Sequence, residues 1–464
     1  MKFGGSSVGD TRRIQRVAQL INELQAKEPV VVVVSAIGGV TDLLLTAATA
    51  AAGKNQSKLT ESLKSLRGLH LQVAAGLKLT QSAQTELNDL VDERLAKAGQ
   101  LLQSVYTLGE LTPRALDAIL SYGERLNIHL VANAIGPKAR PLEASNFIVT
   151  DDRFGAAQPQ LEKSVRRTKL VISPLIKRNF IPVVTGYIGA TAEGVITTLG
   201  RGGSDYSATI LGYCLGAREV WIWTDVDGVM TADPKVVRDA HTIAELTYNE
   251  AAELSYFGAK VLHPLTMVPV ALKNIPIRIK NTFKPEIEGT KIAKKISENG
   301  TSTKAIATIG NLSLITVQGK GMLGVPGVAA RMFDAIAAEE INVMFISQAS
   351  SEFNISFVVQ YGDGRHAVKV LKEIFRYELD IRTIETVKIE ENLAIIAVVG
   401  EGMRGHPGIA GQTFSALGNA KVNIIAIAQG SSERNISLVI HQHEVPKAVK
   451  SIHNQFHLAK KQNG

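Results

Sequence analysis

Two glycine-rich turns in the sequence place charged and hydroxyl side chains where a phosphate group could bind. KFGGSS, residues 2–7, joins Lys2 to consecutive glycines directly before an expected helix. Glycines let backbone N–H groups approach an anion, lysine adds a point charge, and a helix N-terminus adds a positive dipole end. TTLGRGGSD, residues 197–205, is a second such turn. Its charged and hydroxyl side chains are those of Arg201, Ser204 and Asp205.

Two further loops carry charge at the end of predicted elements. WTDVDGVMTADPK, residues 223–235, ends a strand with acids and a turn, and FGAKVLHP, residues 257–264, places Lys260 at the end of a helix. If all four loops lie at the carboxyl edge of one α/β sheet, they converge on a crevice for a polyphosphate ligand. Asp205 has two interpretations: an organiser of a metal ion or of Lys2, or the N-cap of the helix that follows.

Other phosphate-binding motifs are absent from the sequence or have the wrong context. There is no GxxxxGK[ST] and no HRD, DFG or VAIK set, which argues against a P-loop enzyme and a protein kinase. GKGMLG (319–324) and GEGMRG (400–405) match GxGxxG, but the strands after them end in Gln348 and Gln429 rather than an acid. We therefore expect these glycines to form tight turns in small domains.

The composition predicts a soluble globular chain of more than one domain. The chain has 464 residues, 45% of them apolar and 20% charged. The net charge of +8 comes from basic residues scattered among acids, so we expect no nucleic-acid binding. The only cysteine, Cys214, forbids an intramolecular disulfide, and the early apolar run at 29–40 is too short to span a membrane. We expect a cytoplasmic protein without membrane contact.

The first 293 residues read as one α/β domain that would position these loops. A helix is expected after Asp10 or Thr11, and PVVVVVSA has the β-branched composition of a parallel strand covered on both faces. From about residue 170 onward, predicted strands alternate with helices. This alternation predicts a mostly parallel sheet covered by helices.

The remainder of the chain is a duplication. The segment that begins at Gly319 returns from Gly400 without a gap and with about half of its positions identical, at a period of 81 residues. Each copy reads as βαββα, and two such units can lay their sheets side by side. The predicted boundaries are a domain at 1–293, a linker at 294–304 and two small domains at 305–385 and 386–464.

At this point the motifs resemble those of a known family. KFGGSSV, SAIGGVTD, SYGERL, DDRFG, TTLGRGGSDYSA, WTDVDGV, TADP and FGAKVLHP resemble the signature set of aspartate kinases, within the amino acid kinase superfamily. The duplicated units resemble the paired, ferredoxin-like ACT domains that regulate those enzymes. The resemblance implies ATP- and Mg²⁺-dependent phosphorylation of the side-chain carboxylate of L-aspartate to 4-phospho-L-aspartate, the first step of lysine, threonine and methionine biosynthesis.

The resemblance also implies roles for particular residues. The catalytic set around the transferring phosphate would be Lys2, Gly4, Gly5, Arg201 and Asp205. L-aspartate would be bound by Thr41, Glu124, Arg201 and Ser204. The nucleotide site would combine Lys2, Phe3, Gly4 and Gly5 with Thr224, Asp225, Lys260 and Val261. No side chains are assigned as a dedicated metal site.

The repeats keep polar residues at equivalent positions that suit the charged ends of an amino acid. These are Asn342, Gln348 and Asn354 in the first copy and Asn423, Gln429 and Asn435 in the second. Either they bind a feedback effector or they only cap turns and satisfy buried backbone. The paired glutamines favour threonine over lysine as the effector, by resemblance. We also expect a homo-oligomer, a dimer or a tetramer joined through the ACT domains.

Two rival functions stay open at this stage. One is another kinase of the superfamily, acting on glutamate, N-acetylglutamate or UMP; the other is a catalytically dead amino acid sensor. The sequence also departs from the pattern at its start, where only Met1 precedes the lysine, so we expect either a very short first strand or a misplaced start codon. Because the chain stops after the second repeat, we expect no homoserine dehydrogenase activity.

Overall fold

The computed structural model describes residues 1–258, 262–296, 303–322, 325–348 and 353–459. Their contacts divide the chain into two compact units. The first unit comprises Met1–Val229, Ala244–Tyr248 and Val261–Ile296. The second unit comprises Met230–Ile243, Asn249–Lys260 and Ser297–Gly464. The units are discontinuous along the chain, and the sequence-based domain boundaries remain a prediction.

The first unit is built on a mostly parallel sheet. In chain order the strands are β1 (Lys2–Phe3), β2 (Val32–Val34), β3 (Ala139–Leu142), β4 (Ile181–Thr185), β5 (Ile188–Ala190), β6 (Ile196–Thr198), β7 (Val220–Thr224), β8 (Glu245–Thr247), β9 (Ile277–Asn281) and β10 (Thr290–Ala293). Within the described residues, eight of them form one sheet in the order β3-β4-β2-β1-β7-β9-β10-β8, with only β9 and β10 antiparallel. β5 and β6 form an antiparallel hairpin.

Helices pack around this sheet, as the alternating pattern predicted. They are α1 (Thr11–Gln25), α2 (Val40–Ala52), α3 (Gln56–Gly76), α4 (Gln81–Leu108), α5 (Pro113–Leu120), α6 (Tyr122–Ile135), α7 (Leu161–Lys177), α8 (Gly203–Leu215) and α10 (Pro264–Leu272). Between α8 and α10 the chain also forms α9 (Tyr248–Tyr256). All of α9 after Tyr248 belongs to the second unit. No helix in the described part of the chain is both long and apolar enough to cross a membrane.

The local sequence explains how β1 and α1 are held. Asp10 caps α1 by accepting a hydrogen bond from the Arg13 N–H at 2.9 Å, and the apolar face of the helix is buried. β1 is only two residues long but lies centrally between β2 and β7. Its Phe3 ring is fully buried and stacks on Trp223, with ring centroids 5.9 Å apart. The short strand therefore carries Lys2 on a rigid base.

The second unit contains the duplication. Its strands are β11 (Ala305–Gln318), β12 (Phe345–Gln348), β13 (Asn354–Gln360), β14 (Thr386–Val399), β15 (Ala426–Ala428) and β16 (Asn435–His441). Its helices are α11 (Val328–Ala338), α12 (Tyr361–Ile374), α13 (Arg376–Asp380), α14 (Ile409–Asn419) and α15 (Val445–Gln455). The described strands form one antiparallel sheet, in the order β12-β13-β11-β14-β16-β15. The predicted βαββα pattern is confirmed in both copies.

Two long strands join the copies into one sheet. β11 and β14 run antiparallel over their whole lengths, from the pair Ala305 and Val399 to the pair Gln318 and Thr386. Their register shifts near Asn311 and Asn392, both of which have φ of +60°. Each copy therefore adds its own shorter strands to one half of a shared pair of long strands.

Candidate active site

The candidate site lies at the carboxyl edge of the large sheet. β1, β2, β4 and β7 are parallel neighbours, so the loops after them meet at one edge. A pocket of about 530 Å³ opens there. Its lining residues are Lys2, Gly5, Ser35, Ala36, Ile37, Gly38, Gly39, Thr41, Asp42, Glu124, Gly155, Tyr187, Gly200, Arg201, Gly202, Gly203, Ser204 and Asp205.

An ion pair joins the two glycine-rich turns inside this pocket. Lys2 Nζ lies 2.5 Å from Asp205 Oδ1, and the two side chains are 11% and 14% exposed. α8 begins at Gly203 with Gly202 as its N-cap, so Asp205 lies in the first turn of the helix. The N-cap alternative for Asp205 is therefore wrong, because the helix starts before it.

Two helices present their N-termini to the pocket. Gly39 and Gly202 cap α2 and α8 in the left-handed conformation, with φ of 83° and 72°. The first residues of both helices line the pocket. The N-termini of two helices, with the positive ends of their dipoles, therefore border the same space, which suits an anionic ligand.

Close backbone packing holds the loop after β2 against its neighbours. A Cβ on Gly5 would lie 3.1 Å from the Ala36 carbonyl oxygen, and one on Gly123 would lie 2.8 Å from Ala36 Cβ. Both positions exclude a larger side chain. Gly123 precedes Glu124, so this close approach of α6 brings the Glu124 carboxyl group to the pocket.

Glu124 is a buried acid with unused hydrogen-bonding capacity. The side chain is 3% exposed, and its Oε1 accepts from the Ala36 N–H at 3.2 Å. Its Oε2 has no hydrogen-bond partner among the described residues. Burial raises the pKa of Glu124 to about 8, against the opposing effects of backbone N–H groups and of Lys2. A ligand ammonium group would find an acceptor here.

The residues predicted to bind L-aspartate surround the same space. Thr41, Glu124, Arg201 and Ser204 all line the pocket, and Arg201 is exposed. His263 packs behind this region, because a Cβ on Gly202 would lie 2.8 Å from His263 Cβ. Burial and the Arg201 charge lower the pKa of His263.

The structure describes only some of the residues that were predicted to bind the nucleotide. Thr224 ends β7 and its hydroxyl donates to Asp225 Oδ1 at 3.2 Å, but among the described residues neither of them lines the pocket. Phe3 is a core residue, and Gly4 adjoins Lys2, because a Cβ on it would lie 3.1 Å from Lys2 Nζ. Lys260 and Val261 lie outside the described residues. The described residues contain no cluster of three metal-binding side chains.

The sequence patterns did not indicate a role at the site for Tyr187, Asp42 or the buried Asp117. Tyr187 follows β4 in the sequence GYIG, and Asp42 follows the predicted substrate residue Thr41. Tyr187 and Asp42 both line the pocket. Position along the chain could have indicated Tyr187 and Asp42. Tyr187 comes soon after β4, and Asp42 comes soon after a glycine turn at the same edge of the sheet.

In the second unit, the predicted effector residues occupy equivalent positions in the two copies. Gln348 ends β12 and Gln429 follows β15, and both are exposed, as are Asn342 and Asn423. The Ser347 hydroxyl donates to the Ile427 carbonyl at 3.4 Å, so the two outer strands lie next to each other. The structure therefore brings the two glutamine-bearing edges together.

The two equivalent asparagines have different surroundings. Asn435 begins β16 and donates to Glu253 Oε2 of α9, and Glu250 of the same helix accepts from the Glu401 N–H at 2.8 Å. Asn354 begins β13, and its side chain has no hydrogen-bond partner among the described residues. The second copy thus binds a helix through Asn435, whereas in the first copy no described residue binds the side chain of Asn354.

Comparison with family models agrees with this architecture. The model described as the amino acid kinase family matches residues 1–281, and an ACT domain model matches residues 315–375 and 396–456. The fold and the pocket thus define an amino acid kinase domain followed by two ACT domains.

Comparison with named relatives and with solved structures identifies the family within the amino acid kinases more closely. Aspartokinase 2, chloroplastic, of Arabidopsis thaliana is 35% identical over 466 residues, covering 98% of this chain and 84% of the relative. The structure of Escherichia coli aspartokinase III with aspartate and ADP matches with a TM-score of 0.80 and 29% identity, covering 98% of each chain. Clostridium acetobutylicum aspartate kinase matches with a TM-score of 0.81, 28% identity and coverage of 98% and 99%. The chain belongs to the aspartokinase family.

Some relatives are considerably longer than this chain. The bifunctional aspartokinase/homoserine dehydrogenase of Haemophilus influenzae is 37% identical over 459 residues, covering 98% of this chain and 56% of the relative. The chain thus spans about half the length of the bifunctional relatives that it matches.

Proposed function

We propose that this protein transfers the γ-phosphoryl group of ATP to the side-chain carboxylate of L-aspartate, forming 4-phospho-L-aspartate. The observation that carries the proposal is one pocket that combines the Lys2–Asp205 ion pair, the buried Glu124 and the exposed Arg201. The solved E. coli relative binds aspartate and ADP, and it aligns with 98% of this chain.

The chemistry of the acceptor fits a site with positive charge and no dedicated base. A carboxylate with a reference pKa near 3.9 is already ionised at neutral pH, so its attack needs no proton removal. Its approach to a γ-phosphate is opposed by charge repulsion, which Lys2 and the N-termini of α2 and α8 offset. Catalysis here would consist mainly of positioning and electrostatic stabilisation.

Mg²⁺ would add further positive charge when it is bound with the nucleotide. The donor set fits a cation that is held mostly by phosphate oxygens, since Asp205 offers one carboxylate and the described residues hold no larger cluster. Gly4 and Gly5 would let the backbone approach the transferring phosphate. Phe3, Thr224, Asp225, Lys260 and Val261 remain proposed nucleotide residues.

The two ends of the amino acid would be bound by opposite charges. Arg201 can hold the α-carboxylate through two parallel N–H donors. The free Oε2 of Glu124 can accept from the α-ammonium group. Thr41 and Ser204 add hydroxyl groups that line the same pocket. These four residues would distinguish an amino acid from an acceptor that lacks either charged end.

We also propose feedback inhibition by a pathway end product at the ACT domains, with threonine favoured and lysine as the alternative. The adjacent outer strands with exposed Gln348 and Gln429 support an effector site on the second unit. An E. coli relative binds lysine together with aspartate. An effector inhibits by binding a less active state more tightly. A homo-oligomer joined through the ACT domains and a cytoplasmic location are further parts of the proposal.

The decisive experiment measures ADP release from Mg-ATP with L-aspartate, L-glutamate, N-acetylglutamate or UMP as acceptor. Turnover with L-aspartate that is lost in Arg201→Ala supports the proposal. The matched control is Arg218→Ala, which removes an arginine that is 75% exposed and pairs with Glu28 outside the pocket. Titration of threonine and lysine then identifies the effector, and light scattering gives the oligomer size.

The other outcomes distinguish the rival functions. Turnover with glutamate, N-acetylglutamate or UMP alone would reassign the acceptor within the superfamily. ATP binding without turnover on any acceptor would contradict the kinase proposal and favour an amino acid sensor.

A further inference from the structure

The buried carboxylate of Asp117 lies just behind the pocket. Asp117 sits on α5 and is 1% exposed. Its Oδ1 accepts from the Thr198 hydroxyl at 2.7 Å, and its Oδ2 accepts from the Thr198 N–H at 2.8 Å and from the Gly155 N–H at 2.9 Å. Among the described residues that line the pocket, Asp117 does not appear.

The donors to Asp117 come from two separate segments, and both segments reach the pocket. Gly155 lines the pocket itself. Thr198 ends β6, and only Leu199 separates it from Gly200 and Arg201, which line the pocket as well. Asp117 is therefore a single point of attachment for two walls of the site.

The two segments also lie against each other, so a shift of one must displace the other. The Ala157 N–H donates to the Thr198 carbonyl at 2.9 Å. Gly200 has φ of +72°, and a Cβ on it would lie 3.0 Å from the Gly155 carbonyl oxygen. Such tight packing transmits the position of Thr198 and Gly155 to Arg201.

We propose that Asp117 is a positioning residue that fixes the Gly155 turn and the loop carrying Arg201, and thereby sets the affinity for the amino acid acceptor. The inference rests on the proposed function, in which Arg201 holds the acceptor α-carboxylate. Asp117 acts through these two segments and contacts neither substrate.

Asp117→Leu tests this role with little change of side-chain size. Both oxygens of Asp117 accept hydrogen bonds, whereas a leucine, which is similar in size and branching, offers the donors of Thr198 and Gly155 no acceptor. We expect the KM for L-aspartate to rise about tenfold and the KM for ATP to change less than about twofold, since only the acceptor contacts are displaced. A residue that only stabilised the fold would not separate the two KM values.

Two further variants keep the test clear. Thr198→Val removes only the hydroxyl donor, and we expect a smaller rise in the same KM. Asp92→Leu is the matched control, because Asp92 pairs with Arg67 on the surface of α4. Its kinetic constants should match the unchanged protein.

Amide hydrogen exchange gives a readout that does not depend on turnover. Asp117→Leu should accelerate exchange at Gly155 and Thr198, whose N–H groups lose their acceptor, while exchange in β2 and β4 stays unchanged. If the unchanged protein lacks turnover with L-aspartate, the proposed function fails, and exchange still tests the attachment. Normal exchange at both amides, or an unchanged KM for L-aspartate in an active enzyme, would overturn the inference.

Discussion

At the scale of residues, the site is organised by charges that are largely removed from water. Lys2 and Asp205 come from turns about 200 residues apart and meet as a nearly buried pair. Each side chain limits the freedom of the other, so the ammonium group is held ready for a phosphate. The same shielding strengthens its attraction to an anion that enters the pocket.

Lys2→Met should remove most of the activity while keeping the length of the side chain. The change deletes the positive charge that offsets phosphate repulsion and leaves Asp205 without its partner, so kcat should fall about 10²- to 10³-fold. ADP release under saturating Mg-ATP and L-aspartate measures it. The control is Lys58→Met, which breaks the exposed pair with Glu61 on α3. Retention of normal kcat in Lys2→Met would remove Lys2 from the proposed catalytic set.

Glu124 should make the binding of L-aspartate depend on pH. Burial raises its pKa to about 8, so near neutral pH the free enzyme holds Glu124 mostly protonated, whereas an α-ammonium group favours the ionised form. The KM for L-aspartate should therefore fall as the pH rises from about 6.5 to about 8.5. Glu124→Gln should raise KM and flatten this profile. Parallel profiles for both proteins would contradict the assignment, and Glu110→Gln, an exposed glutamate, is the control.

The same shift has the opposite consequence for the stability of the ligand-free protein. A carboxyl group whose native pKa lies above its unfolded value binds more protons in the native state between those two values. Stability should therefore decrease as the pH rises from about 4.5 towards 8, the two values that bound the shift of Glu124. In Glu124→Gln this part of the decrease should be absent. Urea unfolding at several pH values measures the difference.

Residue types and turns made much of this site predictable, but its buried supports were not. Lys2, Arg201 and Asp205 stand in glycine-rich turns, where a phosphate site is a natural prediction. Asp117 stands alone in the helix ALDAIL, and no local pattern indicates which donors it will meet. Its partners, Gly155 and Thr198, are distant in sequence and become neighbours only through the fold.

At the scale of elements, the two ACT copies share a pattern but differ in what they contact. Their order of strands and helices follows from the repeat, whose apolar strands and glycine turns return after 81 residues. The sequence did not predict that β14 would pair with both β11 and β16, since that depends on long-range pairing. Nor did it predict that α9 would bind the second copy through Glu250 and Glu253.

Equivalent substitutions in the two copies should therefore have different effects. Asn435→Ala removes the hydrogen bond to Glu253, a charge-assisted contact of about 1.5–3 kcal/mol, and should lower the unfolding temperature by several degrees. Asn354→Ala should leave that temperature unchanged and raise the effector concentration for half inhibition, about tenfold for a loss of 1.4 kcal/mol. Differential scanning calorimetry and inhibition titrations measure the two effects.

A double-mutant cycle separates the hydrogen bond from other effects of truncation. Asn435→Ala combined with Glu253→Gln should destabilise the protein by less than the sum of the two single changes. Additive changes would show that the two side chains do not interact. Equal stability losses in Asn354→Ala and Asn435→Ala would contradict the difference between the copies.

At the scale of the whole molecule, chain order and packing do not coincide. Residues 230–243 follow β7 and a short loop of the first unit, yet they belong to the second unit. Within it, Ala232 and Val237 are buried in the same core as Ile306 and Leu438. The segment has too few apolar residues for a periodic pattern, so the sequence could not predict where it packs. The second unit therefore includes a segment that lies, along the chain, between two segments of the first unit.

Val237→Asp should destabilise the second unit although the substitution lies outside the ACT repeats. Val237 is 6% exposed, and an aspartate there must either be buried without a partner or pull the segment out of the core, at a cost of several kcal/mol. Val226→Asp is the matched control, because Val226 is 41% exposed and lies in the loop after β7. Calorimetry should show a lower unfolding temperature for Val237→Asp alone, and hydrogen exchange should quicken in β16 and α15, whose residues share that core. If both variants unfold at the same temperature as the unchanged protein, the segment contributes no stability, and the second unit must be complete without it.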